Sequence, residues 1–167
     1  MKLLKIEPFQ ETLHKGYCGP AVLKMVLGFY GIKKSEKALA RLAGTTIEEG
    51  TDARQMQGVL RLFGLKTRIK SNSSFGDIKK YLDKDIPVIV DWFTRGRKNY
   101  PDSVVADGHY SIVVGLDKQY IYLQDPEIGK LRKIKRTDFL RVWFDYTGEF
   151  LRSNKQIYLR QMMAVYK

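Results

Sequence analysis

The sequence predicts an α+β fold in which an N-terminal helical half packs on a C-terminal antiparallel sheet. Apolar residues recur with the 3.6-residue period of helices in the first half of the chain. Near Leu65 the pattern changes to the two-residue alternation of strands. The length of 167 residues suits one domain over 1–167, and 44% hydrophobic residues are enough for a sizeable core.

Three helices are predicted in the first half, each with a residue that starts or stops it. The first helix spans 18–30 and is stopped by Gly31. The second is capped by Ser35 and ends near Gly44, and the third starts at Thr51 or Asp52 and is stopped by Gly64. The second half predicts strands at 65–70, 86–93, 109–117, 120–125, 130–136 and 157–167. Two short helices complete it, one near 75–83 and one over 138–144 capped by Thr137.

Composition excludes several classes of protein. One Cys rules out an internal disulfide, and one Cys with two His cannot form the usual structural zinc sites. No apolar run approaches the ~18 residues of a membrane helix. The apolar stretch near the N-terminus is too short for a signal peptide, so we expect a cytoplasmic protein. We also expect that the protein needs no metal or cofactor.

The net charge is +12, from 30 Lys and Arg against 18 Asp and Glu. This charge favours an acidic partner, such as an acidic peptide, nucleic acid or an anionic membrane surface, or else simply gives a solubilising surface. Basic residues cluster at 95–98 and 130–136. The charge and the aromatic content also suggest a nucleic-acid binder, but we find no nucleic-acid-binding motif, and Tyr and Phe mostly fall at core spacing.

Cys18 is the first candidate for chemistry, because it directly precedes Gly19-Pro20 and an amphipathic helix. Pro is favoured in the first helical turn, so Cys18 is predicted at a helix N-terminus. The helix dipole there favours a thiolate, the nucleophilic form, and we expect a thiol pKa below ~8.5. Gly19 is expected to leave room for a substrate backbone. The alternative for a lone Cys is a small buried hydrophobe.

A cysteine nucleophile needs a base, and the chain offers His14 and His109. His14 lies in the polar segment before the Cys18 helix, where an exposed loop residue is expected. His109 opens an apolar strand, where it can project into a cleft or be a satisfied core residue. Asp125 ends the next strand of a predicted hairpin, which brings it beside His109. Asp125 then either orients the imidazole or starts a turn with Pro126.

Acyl transfer also needs donors for the oxyanion. The backbone N–H of Cys18 is one candidate. Gln10 is another through its side-chain amide, although an ordinary surface glutamine is the simpler interpretation.

With Gln10, Cys18, His109 and Asp125 in this order, the chain resembles the bacteriocin-processing, double-glycine leader peptidase family and its free-standing relatives. The matching segments are YCGPAVLKMVLGFYG (17–31), DGHYSIVVGLD (107–117) and YLQDPEIGK (122–130). The resemblance covers about residues 8–165. It implies a compact papain-like fold with Cys18 as nucleophile, His109 as base, Asp125 as orienter and Gln10 as oxyanion donor. Gln10 stands slightly farther before Cys18 than in the transporter-fused members. The chain ends at Lys167, so we expect no exporter fused to it.

The resemblance and the residues together predict a cysteine peptidase that hydrolyses a peptide or protein through an acyl-enzyme, leader processing being one form of this activity. Two alternatives use the same scaffold. One is another thiol acyl-transfer enzyme, a transpeptidase or amidase, and the other is a non-catalytic peptide-binding module. Asp91 and Trp92 end a predicted buried strand, where they either line the cleft or belong to the core.

Overall fold

The computed structural model describes residues 3–94, 107–147 and 151–167, so the basic cluster at 95–98 lies outside the described residues. The helices are α1 (Cys18–Phe29), α2 (Glu36–Ala43), α3 (Ala53–Leu62), α4 (Phe75–Leu82) and α5 (Arg136–Val142). The strands are β1 (Lys66–Lys70), β2 (Val88–Thr94), β3 (Asp107–Leu116), β4 (Tyr120–Asp125), β5 (Lys130–Lys135), β6 (Phe144–Tyr146), β7 (Ile157–Leu159) and β8 (Met162–Tyr166). A short 3₁₀ helix spans Asn154–Gln156.

The predicted caps of α2 and α3 form. The Ser35 hydroxyl accepts a hydrogen bond from the Ala38 backbone N–H, and α2 ends at Gly44 with a left-handed backbone (φ 67°). Asp52, rather than Thr51, caps α3 in a reciprocal capping box with Gln55. By contrast, α1 has Tyr17 at its N-cap position and no side-chain cap. The first N–H groups of α1 are therefore not satisfied by a capping side chain.

Six strands form one antiparallel sheet in the order β1-β8-β2-β3-β4-β5. One core cluster joins α1, α2 and α3 to the sheet, and a second joins α4 and α5 to it. The sheet is therefore covered by helices on both faces, which confirms the α+β class. The basic segment at 130–135 is the edge strand β5, where charged residues discourage pairing with another sheet.

The hairpin of β3 and β4 positions the candidate site. Ile112 pairs with Gln124 and Val113 with Leu123, and a bulge follows Val113. Asp117 closes the turn by accepting the backbone N–H groups of Gln119 and Tyr120. The start of β3 and the end of β4 consequently lie at the same end of the sheet.

Two predicted elements near the C-terminus are present but differ from the prediction in their cap, bounds or continuity. Helix α5 begins directly after β5 with Lys135 at its N-cap position, so Thr137 lies inside the helix and is not a cap. The predicted strand over 157–167 is broken at Arg160, whose backbone is left-handed (φ 48°). Before the break β7 pairs with β6 in a separate two-stranded sheet, and after it β8 enters the main sheet.

Over the three described ranges, no helix combines the length and the apolar character required to cross a membrane.

Candidate active site

Cys18 is the first residue of α1, as predicted; the residue as a whole keeps some exposure, but its thiol is surrounded by protein. Its sulfur is hydrogen bonded to the His109 side chain and to the backbone N–H of Tyr110. Both partners lie near the start of β3, against which α1 packs. The uncapped start of a helix and the start of a central strand thus meet at the thiol.

His109 is buried and joins Cys18 to Asp125. Its Nε2 lies 2.7 Å from Oδ1 of Asp125, which is also buried. This bond leaves Nδ1 as the ring nitrogen available to the thiol. Trp92, the cross-strand partner of His109, packs edge-on against the imidazole, with 5.7 Å between ring centroids. The Trp92 indole N–H donates to Ser111 Oγ (3.0 Å), which fixes the orientation of the indole.

Asp125 is held by more than the imidazole. Arg132 on β5 places its Nε 2.7 Å from Asp125 Oδ2 and its Nη2 3.1 Å from Glu127 Oε2. The Glu127 backbone N–H donates to Asp125 Oδ1 (3.0 Å). Sequence reasoning missed Arg132, because only the pairing of β4 with β5 brings it beside the carboxylate.

These contacts set the charges of the pair. Burial alone raises the pKa of Asp125, but the charge and hydrogen bond of His109 and the charge of Arg132 lower it below its usual value. Burial alone lowers the pKa of His109, and the charge and hydrogen bond of Asp125 more than offset it. The pKa of His109 therefore stands well above its usual value. An imidazolium facing a carboxylate is the favoured state.

The thiol departs from the sequence expectation. Burial raises the pKa of Cys18 above its ordinary value, while the hydrogen bond with His109 and the Tyr110 N–H act to lower it. A nearby carboxyl group, Glu11, raises it further. The predicted position at the helix N-terminus is correct, but the predicted direction of the pKa shift is opposite to that in the structure. The sequence does not show how deeply the thiol is surrounded.

Gln10 and His14 lie on the segment before α1. The Gln10 side chain is exposed, and its Nε2 donates to the carbonyl oxygen of Glu127 at 3.4 Å. Its β-carbon lies against Gly129, in the turn after β4. His14 is exposed with a left-handed backbone (φ 62°), as expected for a loop residue.

Glu11 is the site residue that sequence reasoning missed. Its backbone N–H donates to the Pro126 carbonyl (2.9 Å), and its partly buried carboxyl acts electrostatically on both Cys18 and His109. Burial raises its pKa to about 7, with neighbouring carboxyl groups adding to the effect and His109 opposing it. In the sequence the only signal is its place next to Gln10 in a segment without regular structure.

Asp91 and Trp92 are both buried, as in the core interpretation. Burial and the neighbouring Asp145 carboxyl hold the pKa of Asp91 well above its usual value. Trp92 belongs to the core and packs against the His109 ring, so it holds the imidazole in place as a core residue.

Three residues of the site could in principle bind a metal ion: His109, Asp125 and Glu127. Each offers one ligand atom, and the three atoms lie within 4.8 Å of one another. However, the Arg132 guanidinium already pairs with both carboxylates, and Asp125 is bonded to His109. The positive charge that these carboxylates require is thus supplied by the protein itself.

Gly19 has a packing role that the sequence analysis did not predict. It is buried, and a β-carbon added to it would lie 2.7 Å from the Thr51 β-carbon and 2.9 Å from Thr51 Oγ1. Thr51 is in turn hydrogen bonded to Thr45 (2.7 Å). Gly19 therefore lets the start of α1 approach the loop before α3 closely.

We expect Gly19→Ala to destabilise the protein by about 1–3 kcal/mol, as overpacking typically does. Urea unfolding measures this effect. Thr51→Gly removes the clashing atoms, so the same Gly19→Ala change made in that background should cost much less. Thr51→Ala removes Oγ1 but retains the β-carbon at 2.7 Å, so it should give only part of this relief. An equal cost in all three backgrounds would contradict this packing.

Comparison with known proteins agrees with this architecture. The sequence profile of the Peptidase C39-like family matches residues 4–149. The chain is 33% identical over 132 residues to the transport/processing ATP-binding protein ComA of Streptococcus pneumoniae strain R6, covering 78% of this chain and 17% of ComA. It is 36% identical over 137 residues to an uncharacterized protein of Methanothermobacter marburgensis, covering 81% of each. The chain thus spans about a sixth of the transporter.

Solved structures show the same fold. The peptidase domain of Streptococcus ComA superposes with a TM-score of 0.65 at 23% identity, covering 96% of each chain. A putative C39-like peptidase from Bacillus anthracis gives a TM-score of 0.71 at 16% identity, covering 99% of this chain and 97% of that one. A double glycine motif protease from an AMS/PCAT transporter, in complex with the leader peptide, gives a TM-score of 0.65 at 19% identity. The match covers 99% of this chain and 95% of that one. The expected papain-like fold and the resemblance are confirmed: this chain belongs to the Peptidase C39-like family.

Proposed function

We propose that this chain is a cysteine peptidase in which Cys18 is the nucleophile, His109 the base and acid, and Asp125 the orienter. The observation that carries the proposal is the continuous set of contacts from the Cys18 sulfur through His109 to Asp125, at the start of an uncapped helix. The arrangement supplies a nucleophile, a proton carrier and a buried counter-charge in one place.

The thiol and the imidazole titrate as a coupled pair. Because Asp125 holds a proton on His109, the first proton that the pair loses comes from Cys18. The result is a thiolate next to an imidazolium. Burial of the thiol opposes this ionisation, so the thiolate forms at a higher pH than at a more open site.

The thiolate then attacks the carbonyl carbon of a peptide bond, and the carbonyl electron pair moves onto oxygen. The backbone N–H of Cys18, at the uncapped start of α1, is a donor for this oxyanion. His109 gives its proton to the leaving amine as the C–N bond breaks, which leaves a thioester. His109 next takes a proton from water, which attacks the thioester and releases the acid and the thiolate.

For the substrate we propose a peptide with two glycines before the cleaved bond. The support is the solved double glycine motif protease bound to its leader peptide, together with the sequence similarity to processing transporters. The net charge of +12 favours an acidic peptide. However, carboxyl groups act on the thiol region, so any such attraction acts on parts of the peptide away from the cleaved bond.

The test is cleavage of a peptide library, read by mass spectrometry, with wild type and Cys18→Ala compared. We expect wild type to cleave after Gly-Gly and Cys18→Ala to cleave nothing. Hydroxylamine added at increasing concentration separates hydrolysis from acyl transfer, because a transferase converts most of the acyl-enzyme to hydroxamate even at low amine. Peptide binding without cleavage by either protein would overturn the proposal in favour of a binding module.

A further inference from the structure

The main sheet ends at β5, whose outer edge is unpaired in the described chain. β5 is the last strand of the sheet and pairs on its inner side with β4, from Lys130 opposite Asp125 to Lys135 opposite Tyr120. Among the described residues, no strand pairs with its outer side. The N–H and C=O groups of every second residue of β5 therefore point away from the sheet. Such an edge can accept an extended peptide as an additional strand.

This edge carries a concentrated positive charge. Strand β5 and the first residue of α5 together contain five Lys or Arg and no acidic residue. Arg132 is occupied by two carboxylates of the candidate site, and Arg136 donates to backbone carbonyl groups. The other three, Lys130, Lys133 and Lys135, are exposed, and none forms a salt bridge with a carboxylate in the described part of the chain. We call these three the edge lysines, and their charge is available to a ligand.

The side chains of this edge also offer an apolar contact. Leu131, Lys133 and Lys135 lie on the same face of β5, because side chains two residues apart in a strand share a face. Leu131 is 41% exposed although it is a large apolar residue. The Lys133 Nζ lies 3.9 Å from the centroid of the Tyr120 ring, which holds the Lys133 side chain over the sheet. A strand added next to β5 would therefore meet one apolar and two cationic side chains on this face.

Charge and backbone together select the occupant. A second copy of β5 would place lysine opposite lysine, which is unfavourable for cross-strand neighbours. A nucleic acid has the opposite charge but lacks the alternating N–H and C=O groups that pair with a strand edge, whereas an acidic peptide has both. We propose that the outer edge of β5 binds an acidic, extended segment of the substrate as a seventh strand of the main sheet. This inference rests on the proposed peptidase activity and names the part of the substrate that the basic charge recognises.

The position of β5 fixes the direction and the spacing of this segment. β5 begins at Lys130, opposite Asp125 of the candidate site, and runs away from the site. A segment that precedes the cleaved bond enters the site with its C-terminal end, so it runs antiparallel to β5. β5 lies two strands from His109 on β3, roughly 10 Å, which about three residues of extended peptide span. The acidic residues should therefore start about four residues before the cleaved bond.

Binding to the edge is measured by fluorescence anisotropy with Cys18→Ala, which leaves the probe intact. The probe is a labelled peptide in which Val alternates with Glu over six residues, the length of β5, followed by Ser-Gly-Gly-Ala. Replacing each Glu of the probe with Gln should weaken binding about tenfold at low salt, and added salt should reduce this difference.

N-methylation of the probe separates strand addition from simple charge attraction. Only every second N–H of an added strand faces the edge that it joins. Methylating the backbone nitrogens of one alternate set should weaken binding at least tenfold, and methylating the other set should leave it unchanged. Equal tolerance of both sets would overturn strand addition.

The edge lysines are tested together as Lys130→Gln, Lys133→Gln and Lys135→Gln in an otherwise unchanged chain. The substrate is the same acidic peptide with aminomethylcoumarin in place of the Ala after Gly-Gly. We expect KM to rise about tenfold with kcat unchanged, because the lost contacts bind the substrate and the transition state equally. The peptide with Gln in place of Glu should show no such rise. Circular dichroism verifies that the variant is folded.

The matched control lies at the opposite edge of the same sheet. Lys66, Arg68 and Lys70 are exposed on β1, and replacing all three with Gln removes the same charge. Lys70 pairs with Asp77 on α4, but an exposed ion pair of this kind contributes little. This control should change KM for the acidic peptide by no more than about twofold.

The outcomes separate this inference from the proposed function. Cleavage with equal KM for the acidic and the Gln peptides, or an equal rise in KM in both triple variants, would overturn the inference and leave the peptidase activity in place. Displacement of the probe by a single-stranded oligonucleotide at lower concentration than by unlabelled peptide would assign the edge to nucleic acid instead. Binding that depends on the edge lysines, without cleavage of any Gly-Gly peptide by wild type, would overturn the peptidase activity and leave the peptide-binding edge.

Discussion

Replacing either Cys18 or His109 with Ala should lower kcat/KM by about 10⁴–10⁶-fold, and replacing both should be little worse than replacing one. The reason is that the thiol and the imidazole act as one unit. Without the imidazole the buried thiol has no proton acceptor and no cation to stabilise its thiolate, and without the thiol the imidazole has no nucleophile to serve. Steady-state kinetics on the Gly-Gly peptide substrate measures all three variants.

His14→Ala is the matched control, because His14 is the other histidine of the chain and lies exposed before α1. It should change kcat/KM by no more than a few-fold. If His14→Ala abolished turnover while His109→Ala preserved it, the base would be misassigned. Additive losses in the double variant would show that Cys18 and His109 do not work together.

The helices were predictable because their signals are local. Ser35 and Asp52 bond to backbone groups three residues ahead, and Gly44 adopts the left-handed backbone that ends α2. These interactions lie within a few residues of the chain, so the sequence alone contains them. The hairpin of β3 and β4 was predictable for the same reason, since a three-residue connection leaves few ways to pair the strands.

The break at Arg160 was not predictable, since Arg is not a residue that favours a left-handed backbone. The break is stabilised by distant groups. The Arg160 N–H donates to the Trp143 carbonyl, and the Trp143 indole N–H donates to the Gln161 carbonyl. A three-residue strand such as β6 likewise exists only because β7 pairs with it. Patterns within one segment do not show such non-local pairings.

The same distinction applies to the site. Cys18, His109 and Asp125 each lie at the end of an element that the sequence predicts, and the structure brings all three together. Arg132 depends on the register of β5 against β4, and Glu11 lies in a segment where no period tells which side chain points inward. Burial of the thiol is also a property of the whole fold. This burial explains why the helix N-terminus alone predicted the wrong direction for the pKa of Cys18.

Asp125→Asn should lower kcat/KM by about 10²–10⁴-fold yet leave measurable turnover. An Asn carbonyl can still accept a hydrogen bond from His109 Nε2, so the ring keeps its orientation. It carries no charge, so the pKa of His109 falls and the imidazolium is stabilised less. The thiolate–imidazolium pair then becomes less populated. A pH–rate profile measures this change as a smaller fraction of enzyme in the thiolate–imidazolium state. Asp125→Ala, which also lacks the hydrogen-bond acceptor, should lose more kcat/KM than Asp125→Asn.

The free energy of unfolding should also depend on pH through the charges of Asp125 and His109. The lowered pKa of Asp125 stabilises the fold above its unfolded value, near pH 4, and this contribution is lost as the pH falls through the folded pKa. The raised pKa of His109 contributes fully below its unfolded value, near pH 6.5, and this contribution is lost as the pH rises through the folded pKa. Asp125→Asn should therefore be most destabilising between about pH 4 and 6.5, by urea unfolding.

Asp138→Asn makes the same chemical change in an exposed pair with Arg141 on α5, where an ion pair contributes little. It should leave both the pH–rate profile and the unfolding free energy near those of wild type. If Asp125→Asn behaved like Asp138→Asn, the buried carboxylate would have no part in holding the proton on His109. The first proton lost by the pair would then come from the imidazole, which would leave a neutral imidazole next to a neutral thiol.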